Sequence, residues 1–311
     1  MVQETAEGTG AEILRIQVDQ SCDFVCEDCE RYFECQAEEK KSIYDRRRMD
    51  MVRETMSRIK YKIAVVGGKG GVGKSITTTN LATYLALQGR KVCILDSDFD
   101  GSCIPKMLGL TGKRPKMGPH GIEPVVGIHG IKVVSMGSIL RDDEVLTWFH
   151  DMRRNATEEF LAHVNYGEND YLFIDLPPGT SSDSVNTMQY IPDLSGAVVV
   201  TIPSEVSQGV AMKATLLCKK AGVRVFGVIE NMSGFICPHC GERTDVMMYG
   251  GGERLAQDME VPFLGRIPLD PRLGQCSDSG VPFVIQHPDS AAALAVSAVV
   301  DHIREALGDS G

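Results

Sequence analysis

From Tyr61 onward the chain alternates short, uniformly apolar runs with segments of helical length. KIAVV, KVCIL, IKVVS, YLFID, GAVVVT and VRVFGVIE are rich in β-branched residues and carry no polar alternation. A strand with one wet face alternates apolar and polar side chains, whereas one covered on both faces does not. These runs therefore read as strands inside a parallel sheet. The segments between them predict helices over 74–88, 152–164, 182–190 and 205–221, with Gly89 and Gly222 placed where a helix exit turns left-handed. Alternating strands and helices predict an α/β fold, a doubly wound and mostly parallel sheet with helices on both faces. A last helix, Ser290 to Leu307, is alanine-rich with an apolar stripe, few basic residues and no aromatic, which favours core packing over a membrane surface.

The first sixty residues follow another pattern. Residues 1–39 form an acidic arm in which Asp23, Glu27, Asp28, Glu30, Glu34, Glu38 and Glu39 surround Cys22, Cys26, Cys29 and Cys35. Residues 40–60 reverse the sign with Lys40, Lys41, Arg46, Arg47, Arg48, Arg53 and Arg58, while Ile43, Met49, Val52, Met56 and Ile59 recur at helical spacing. This predicts a basic linker helix laid on the body by its apolar side. The remainder, 61–308, reads as one nucleotide-binding domain.

Composition narrows the picture. No apolar run approaches bilayer length, and the start lacks the basic and apolar regions of a secretory signal. A cytoplasmic protein is expected, with its ten cysteines kept reduced and so directed to metal or redox chemistry rather than disulfides. The formal charge of −10 argues against nucleic acid or an anionic membrane as partner.

VVGGKGGVGKS is the sharpest local signal. Gly68, Gly73, Lys74 and Ser75 satisfy the phosphate-loop pattern between a strand and a helix. Glycines let the loop curl so that the N–H groups of Gly68, Lys69, Gly70, Gly71, Val72 and Gly73 converge on phosphate oxygens, next to the positive end of the following helix. Lys74 is the expected partner of the β- and γ-phosphates, and Ser75 of Mg²⁺. KVCIL runs into Asp96-Ser-Asp98-Phe-Asp100, and YLFID ends in Asp175, a candidate magnesium carboxylate. Both lie at the carboxyl end of the sheet, where ligands of open α/β folds bind. Pro177 and Pro178 require a loop after Asp175. No guanine-reading N-K-x-D motif is present.

Two cysteine sets remain. Cys22, Cys26, Cys29 and Cys35 suit a disulfide pair, a zinc or an iron–sulfur cluster, with the reducing compartment weighing against the first. Cys237 and Cys240 form a C-x-x-C in GFICPHCGE, two thiolates where a zinc or cluster wants about four ligands. A two-fold dimer would supply the same pair twice. Cys93 in a strand and Cys218 in a helix read as core, and Cys103 and Cys276 lie near switch and terminal loops.

The K-G-G-x-G-K-[ST] loop resembles the deviant Walker A class that includes MinD, ParA and the nitrogenase iron protein. That likeness implies an ATP-sandwich dimer in which Lys69 reaches the partner's phosphates, with Asp98 as switch aspartate and the Asn231 amide, at a strand end, reading adenine. Taken together, GGKGGVGKS, LDSDFDGSCIPKMLG, FIDLPPGTSSD, IENMSGFICPHCG and IPLDPRLGQCSDSGVPF resemble the Mrp/Nbp (ApbC-like) family of ATP-binding iron–sulfur carriers over about residues 58–290. The resemblance implies a MinD-like fold and a homodimeric ATPase, with Lys69, Lys74 and Asp98 catalytic. It implies a labile [4Fe–4S] cluster bridged by Cys237 and Cys240 and passed to apoproteins, with a related hetero-partner also compatible. Cys26, Cys29 and Cys35 match the family's more stable N-terminal cluster motif. The first ligand departs from it, because the family's gap is longer; Cys22 is the nearest cysteine left for that place. The extra serine in GTSSD leaves Asp183 without an assigned role. The rival readings are an ATP-gated electron carrier resembling the nitrogenase iron protein, and a ParA/MinD-type positioning switch with zinc in the arm.

Overall fold

The computed structural model describes residues 38–139, 150–179, 181–237 and 239–309. Cys22, Cys26, Cys29 and Cys35, with the rest of the acidic arm before 38, lie outside the described residues. The chain separates into two units, Met1–Asp50 and Met51–Gly311. Of the first, residues 38–50 are described and are helical.

In chain order the elements are α1 (Glu38–Ser57), β1 (Ile59–Gly67), α2 (Lys74–Leu87), β2 (Val92–Asp96), α3 (Ile104–Met107), β3 (Lys116–Gly118), β4 (Gly121–Glu123), β5 (Val125–Val126) and β6 (Lys132–Ser135). There follow α4 (His150–His163), β7 (Asn169–Asp175), α5 (Ser182–Tyr190), β8 (Gly196–Thr201), α6 (Glu205–Lys220), β9 (Val225–Ile236) and β10 (Arg243–Thr244). The chain ends with α7 (Gly251–Asp258), β11 (Phe263–Leu269), α8 (Pro271–Ser279), α9 (Phe283–Gln286) and α10 (Ala291–Leu307). One sheet runs in the order β10-β9-β8-β1-β7-β2-β6-β5, and β11 also pairs with β9. All of its pairings are parallel except β5 with β6 and β10 with β9. This is the doubly wound α/β sheet that the apolar runs predict.

The lack of polar alternation has a direct cause. Ile63, Val65, Ile94, Phe173, Val198 and Val200 face one apolar cluster, which α2 and α10 cover. Their neighbours Ala64, Val66, Cys93, Leu95, Leu172, Ile174 and Val199 face a second cluster, which holds Val52 and Met56 of α1 together with Phe160 and Ala211. Both faces are dry, so the middle positions of these strands are apolar. Val296, Val299, Val300 and Ile303 of α10 are buried, in keeping with core packing. Among the described residues no helix is long and apolar enough to cross a membrane.

Some boundaries differ from the sequence reading. α1 stops at Ser57, and Ile59, grouped above with the helical stripe, opens β1 as a buried strand residue. β9 does not end at Asn231 but continues to Ile236, because β11 and β10 pair with its last part, Leu269 opposite Phe235 and Arg243 opposite Ile236. Cys276 lies in α8 rather than a loop, buried, with its thiol donating to Gln286 Oε1 at 2.9 Å.

Candidate nucleotide and metal site

Register places the chemistry. Val65 of β1 and Asp96 of β2 both stand opposite Asp175 of β7, so three strands deliver their carboxyl ends to one level. The loop from β1 to α2 crosses directly above. Gly73, immediately before α2, is left-handed at φ 81, and a Cβ there would also collide with the Asn231 amide. A Cβ on Gly68 would collide with the Ala211 backbone of α6. Only glycine satisfies both close approaches.

Below the loop lies a closed polar network. Asp175 is fully buried and Lys74 is 6% exposed, with Nζ 2.8 Å from Asp175 Oδ2. Ser75 Oγ donates to the same oxygen at 2.6 Å, and Thr78 Oγ1 donates to Oδ1 at 2.9 Å. The charge on Asp175 is thus met by a cation and two hydroxyls, as a buried carboxylate requires. Asp96 lies next to it, 1% exposed; Ser135 Oγ donates to its Oδ2 at 3.0 Å. Burial, and then the negative charge of Asp175, push its carboxyl up to about 8. Two adjacent buried carboxylates do not both ionise easily, and Asp96 is the one that keeps its proton near neutrality. The LDSDFD motif displays Asp96, yet the sequence reading assigns it no role; Thr78 carries no sequence signal apart from its position one turn beyond Lys74.

Asp98 reaches the mouth of this site. Its Oδ1 accepts from Gly101 N at 3.1 Å, and burial raises its carboxyl. The same segment is tied outward, because Arg153 holds Asp100 through two bonds of 2.8 and 2.9 Å and approaches Asp183 at 3.6 Å. Asp183, unassigned above, thereby joins the two loops that follow β2 and β7. A cavity of about 430 Å³ opens over the loop, walled by residues 69–76, Asp98, Cys103 and Pro178. Lys69 lines it, partly exposed, with no side-chain partner given by the described residues.

Asn231 sits under the loop, within β9. Its Nδ2 donates to Val72 O at 2.9 Å and is buried. The amide to which the resemblance gives the reading of a base is bonded to the loop itself. Past the end of β9 come the two thiols. Cys237 is half-buried and Cys240 exposed. The turn is closed by Gly241 N donating to Cys237 O and Cys237 N donating to Glu242 O, both at 2.9 Å. Backbone N–H groups of Cys240 and His239 directed at its sulfur lower the Cys237 thiol below the ordinary range. Among the described residues no three His, Cys, Asp or Glu side chains gather into a metal-holding group. Among the described residues the chain presents Cys237 and Cys240 here as a pair of thiols.

Residues 58–304 match the ParA family described as NUBPL iron-transfer P-loop NTPase. The chain belongs to this family. Among its relatives, an iron–sulfur cluster carrier protein of Methanocaldococcus jannaschii is 48% identical over 75% of this chain and 81% of its own length. Another protein of that name, from Methanococcus maripaludis, is 41% identical over 93% of this chain and 98% of its own. A nucleotide-binding protein of Archaeoglobus fulgidus, solved with ADP and cobalt, superposes at a TM-score of 0.67 with 39% identity, over 75% of this chain and 91% of that one. The cell-division ATPase MinD of Pyrococcus furiosus, 23% identical over 79% of this chain and 98% of its own, shares the fold at a TM-score of 0.57. The family is one of P-loop NTPases, which supports NTPase activity in general terms.

Proposed function

We propose that this protein is an ATP-hydrolysing carrier that takes up a [4Fe–4S] cluster and delivers it to apo iron–sulfur proteins. The observation that carries the proposal is β9, which bonds the phosphate loop through Asn231 and runs directly into Cys237. A change in the loop is therefore felt at the thiols through one hydrogen-bonded strand. The names of the curated relatives supply the cargo, and the pair of exposed-side thiolates is chemically suited to a soft iron–sulfur substrate.

In the structure Lys74 pairs with Asp175. Incoming phosphates compete for Lys74, and its departure frees Asp175 and the Ser75 hydroxyl. Those two residues would hold Mg²⁺, which supplies charge neutralisation at the phosphates. Gly68 to Gly73 present backbone N–H groups, Asp98 orients water at the cavity mouth, and Lys69 serves the opposite subunit of a homodimer. In that dimer Cys237 and Cys240 from each chain complete a four-thiolate site. Cys22, Cys26, Cys29 and Cys35 would hold a second, more tightly kept cluster in the arm. The protein works in the cytoplasm, without nucleic acid or membrane as partner.

The test is transfer of a cluster to an apo-enzyme by the Cys237→Ala/Cys240→Ala variant, read with iron retained per subunit. The variant is expected to retain the arm's iron and ATP turnover while delivering no cluster. Transfer at the wild-type rate would remove the C-x-x-C from the mechanism.

A further inference from the structure

A second cavity, of about 520 Å³, lies on the other side of Cys103 from the nucleotide cavity. It is formed where the segment after β2 meets α3, the loop after it, and the turn that follows β6. No phosphate-loop residue lines it. Lys106, Lys113 and Arg114 do, and among the described residues no carboxylate does. Lys106 is paired with Asp278 at 3.3 Å, an exposed contact that water screens. Lys113 and Arg114 are exposed, and the described residues give their side chains no partner. Ser138 also lines it, only 4% exposed, and among the described residues its Oγ has no hydrogen-bond partner. A buried hydroxyl without a partner is costly and uncommon, and it marks a place where a polar group belongs.

We propose that this cavity binds a small organic polyanion, a molecule carrying two or more carboxylate or phosphate groups. Its volume is that of a small-molecule site and exceeds the needs of a single inorganic ion. The cations at its rim attract and orient the charged groups, and Ser138 supplies the buried hydroxyl that donates to one of them. Nucleic acid does not suit it, because the chain as a whole carries −10. The site abuts the Asp98 segment, since Ser102 lines it and Ser102 Oγ donates to Asp98 O at 2.6 Å. An occupant therefore touches the segment that borders the nucleotide.

The experiment uses the full-length protein, first titrated with ADP without added magnesium, which reads the phosphate loop separately. The ADP-saturated protein is then titrated calorimetrically with citrate and, in a parallel series, with pyrophosphate. Binding of at least one probe per subunit is expected, weakened tenfold or more in Lys113→Gln/Arg114→Gln and about threefold in Ser138→Ala, with ADP affinity unchanged in both. Binding of citrate alone assigns the site to carboxylates, and of pyrophosphate alone to phosphates. Because Lys113 and Arg114 are exposed, their replacement leaves the fold intact, which thermal unfolding verifies. Failure of both probes to bind the wild type, or equal binding by the Lys113→Gln/Arg114→Gln variant, overturns the proposal.

Discussion

Asp175 is wholly buried, and both of its oxygens are held by side chains from the first two turns of α2. Cys240, on the turn beyond β9, is exposed, and that turn is closed by backbone bonds and by N–H groups directed at the Cys237 sulfur. The same sheet supports both regions, but it determines only the first. The nucleotide floor is set by register among β1, β2 and β7. Among the described residues no core side chain is bonded to the thiol pair, and on the proposed reading its geometry would be completed by a partner and a cargo. A rigid floor and an adaptable rim are what a carrier requires, since it must hold its fuel site constant while its grip on cargo changes.

The largest effect should come from breaking the floor. Lys74→Ala is expected to lower ATP turnover at least a hundredfold, as measured by phosphate release. It also strands the buried charge of Asp175, although Ser75 and Thr78 still bond it, so unfolding in urea should show a loss of about 3 kcal/mol. Lys74→Met/Asp175→Asn removes both charges and should recover most of that stability with no recovery of turnover. If the double variant is no more stable than the single one, the pair is not the element that holds the floor.

The floor should also respond to pH. The Asp96 carboxyl titrates near 8 in the folded protein against an ordinary value of 3.8. Between those limits the native state binds the extra proton, so this residue's contribution to stability is highest below 3.8 and declines as pH rises through about 8. The unfolding free energy of wild type relative to Asp96→Asn should therefore fall over that window, by at most about 1.4 kcal/mol per pH unit. A difference that stays constant from pH 4 to 8 would place the proton elsewhere. Smaller again is the effect of Gly68→Ala, whose added Cβ meets the Ala211 backbone of α6. A cost of about 1–3 kcal/mol is expected. Gly70→Ala, with nothing within 4 Å of the added carbon, should stay within about 0.5 kcal/mol.

The sequence makes the floor legible and the rim much less so. KIAVV, KVCIL and YLFID declare buried strands because both of their faces are dry, and glycine spacing with Lys74 and Ser75 fixes the loop between a strand and a helix. β11 escapes the same logic. Phe263–Leu269 contains Gly265, Arg266 and Pro268, it pairs with β9 alone, and its exposure is mixed, so its sequence lacks the unbroken apolar signature. Without β11 the end of β9 appears to stop at Asn231, although it runs on to Ile236 with Met232 and Gly234 at φ 54 and 70. Pairing partners far along the chain created that extension, and no local pattern announces it. The bond from Asn231 to Val72 is hidden for the same reason, as is the meeting of Ser138 with Lys113 and Arg114 around one cavity.

Asn231 offers the finest test of the comparison, because it is where the rigid region touches the adaptable one. Its Nδ2 bond to Val72 O is a single buried hydrogen bond, and losing it leaves an unpartnered carbonyl, so Asn231→Ala should cost about 1 kcal/mol. The more telling readout is coupling rather than stability. On the proposed reading, ADP would draw the loop onto its phosphates and pull on Val72, and β9 would carry that displacement to Cys237. Iodoacetamide should then modify Cys237 at a rate that differs a few-fold between the ADP-bound and free forms, with mass spectrometry locating the adduct. In Asn231→Ala the two rates should converge while ADP still binds, since Lys74 and the loop's N–H groups are untouched. Convergence with ADP bound makes β9 the connection between fuel and cargo. A rate ratio equal to that of the wild type would mean that the thiols sense nucleotide by some other route, and the shared strand would be only scaffold.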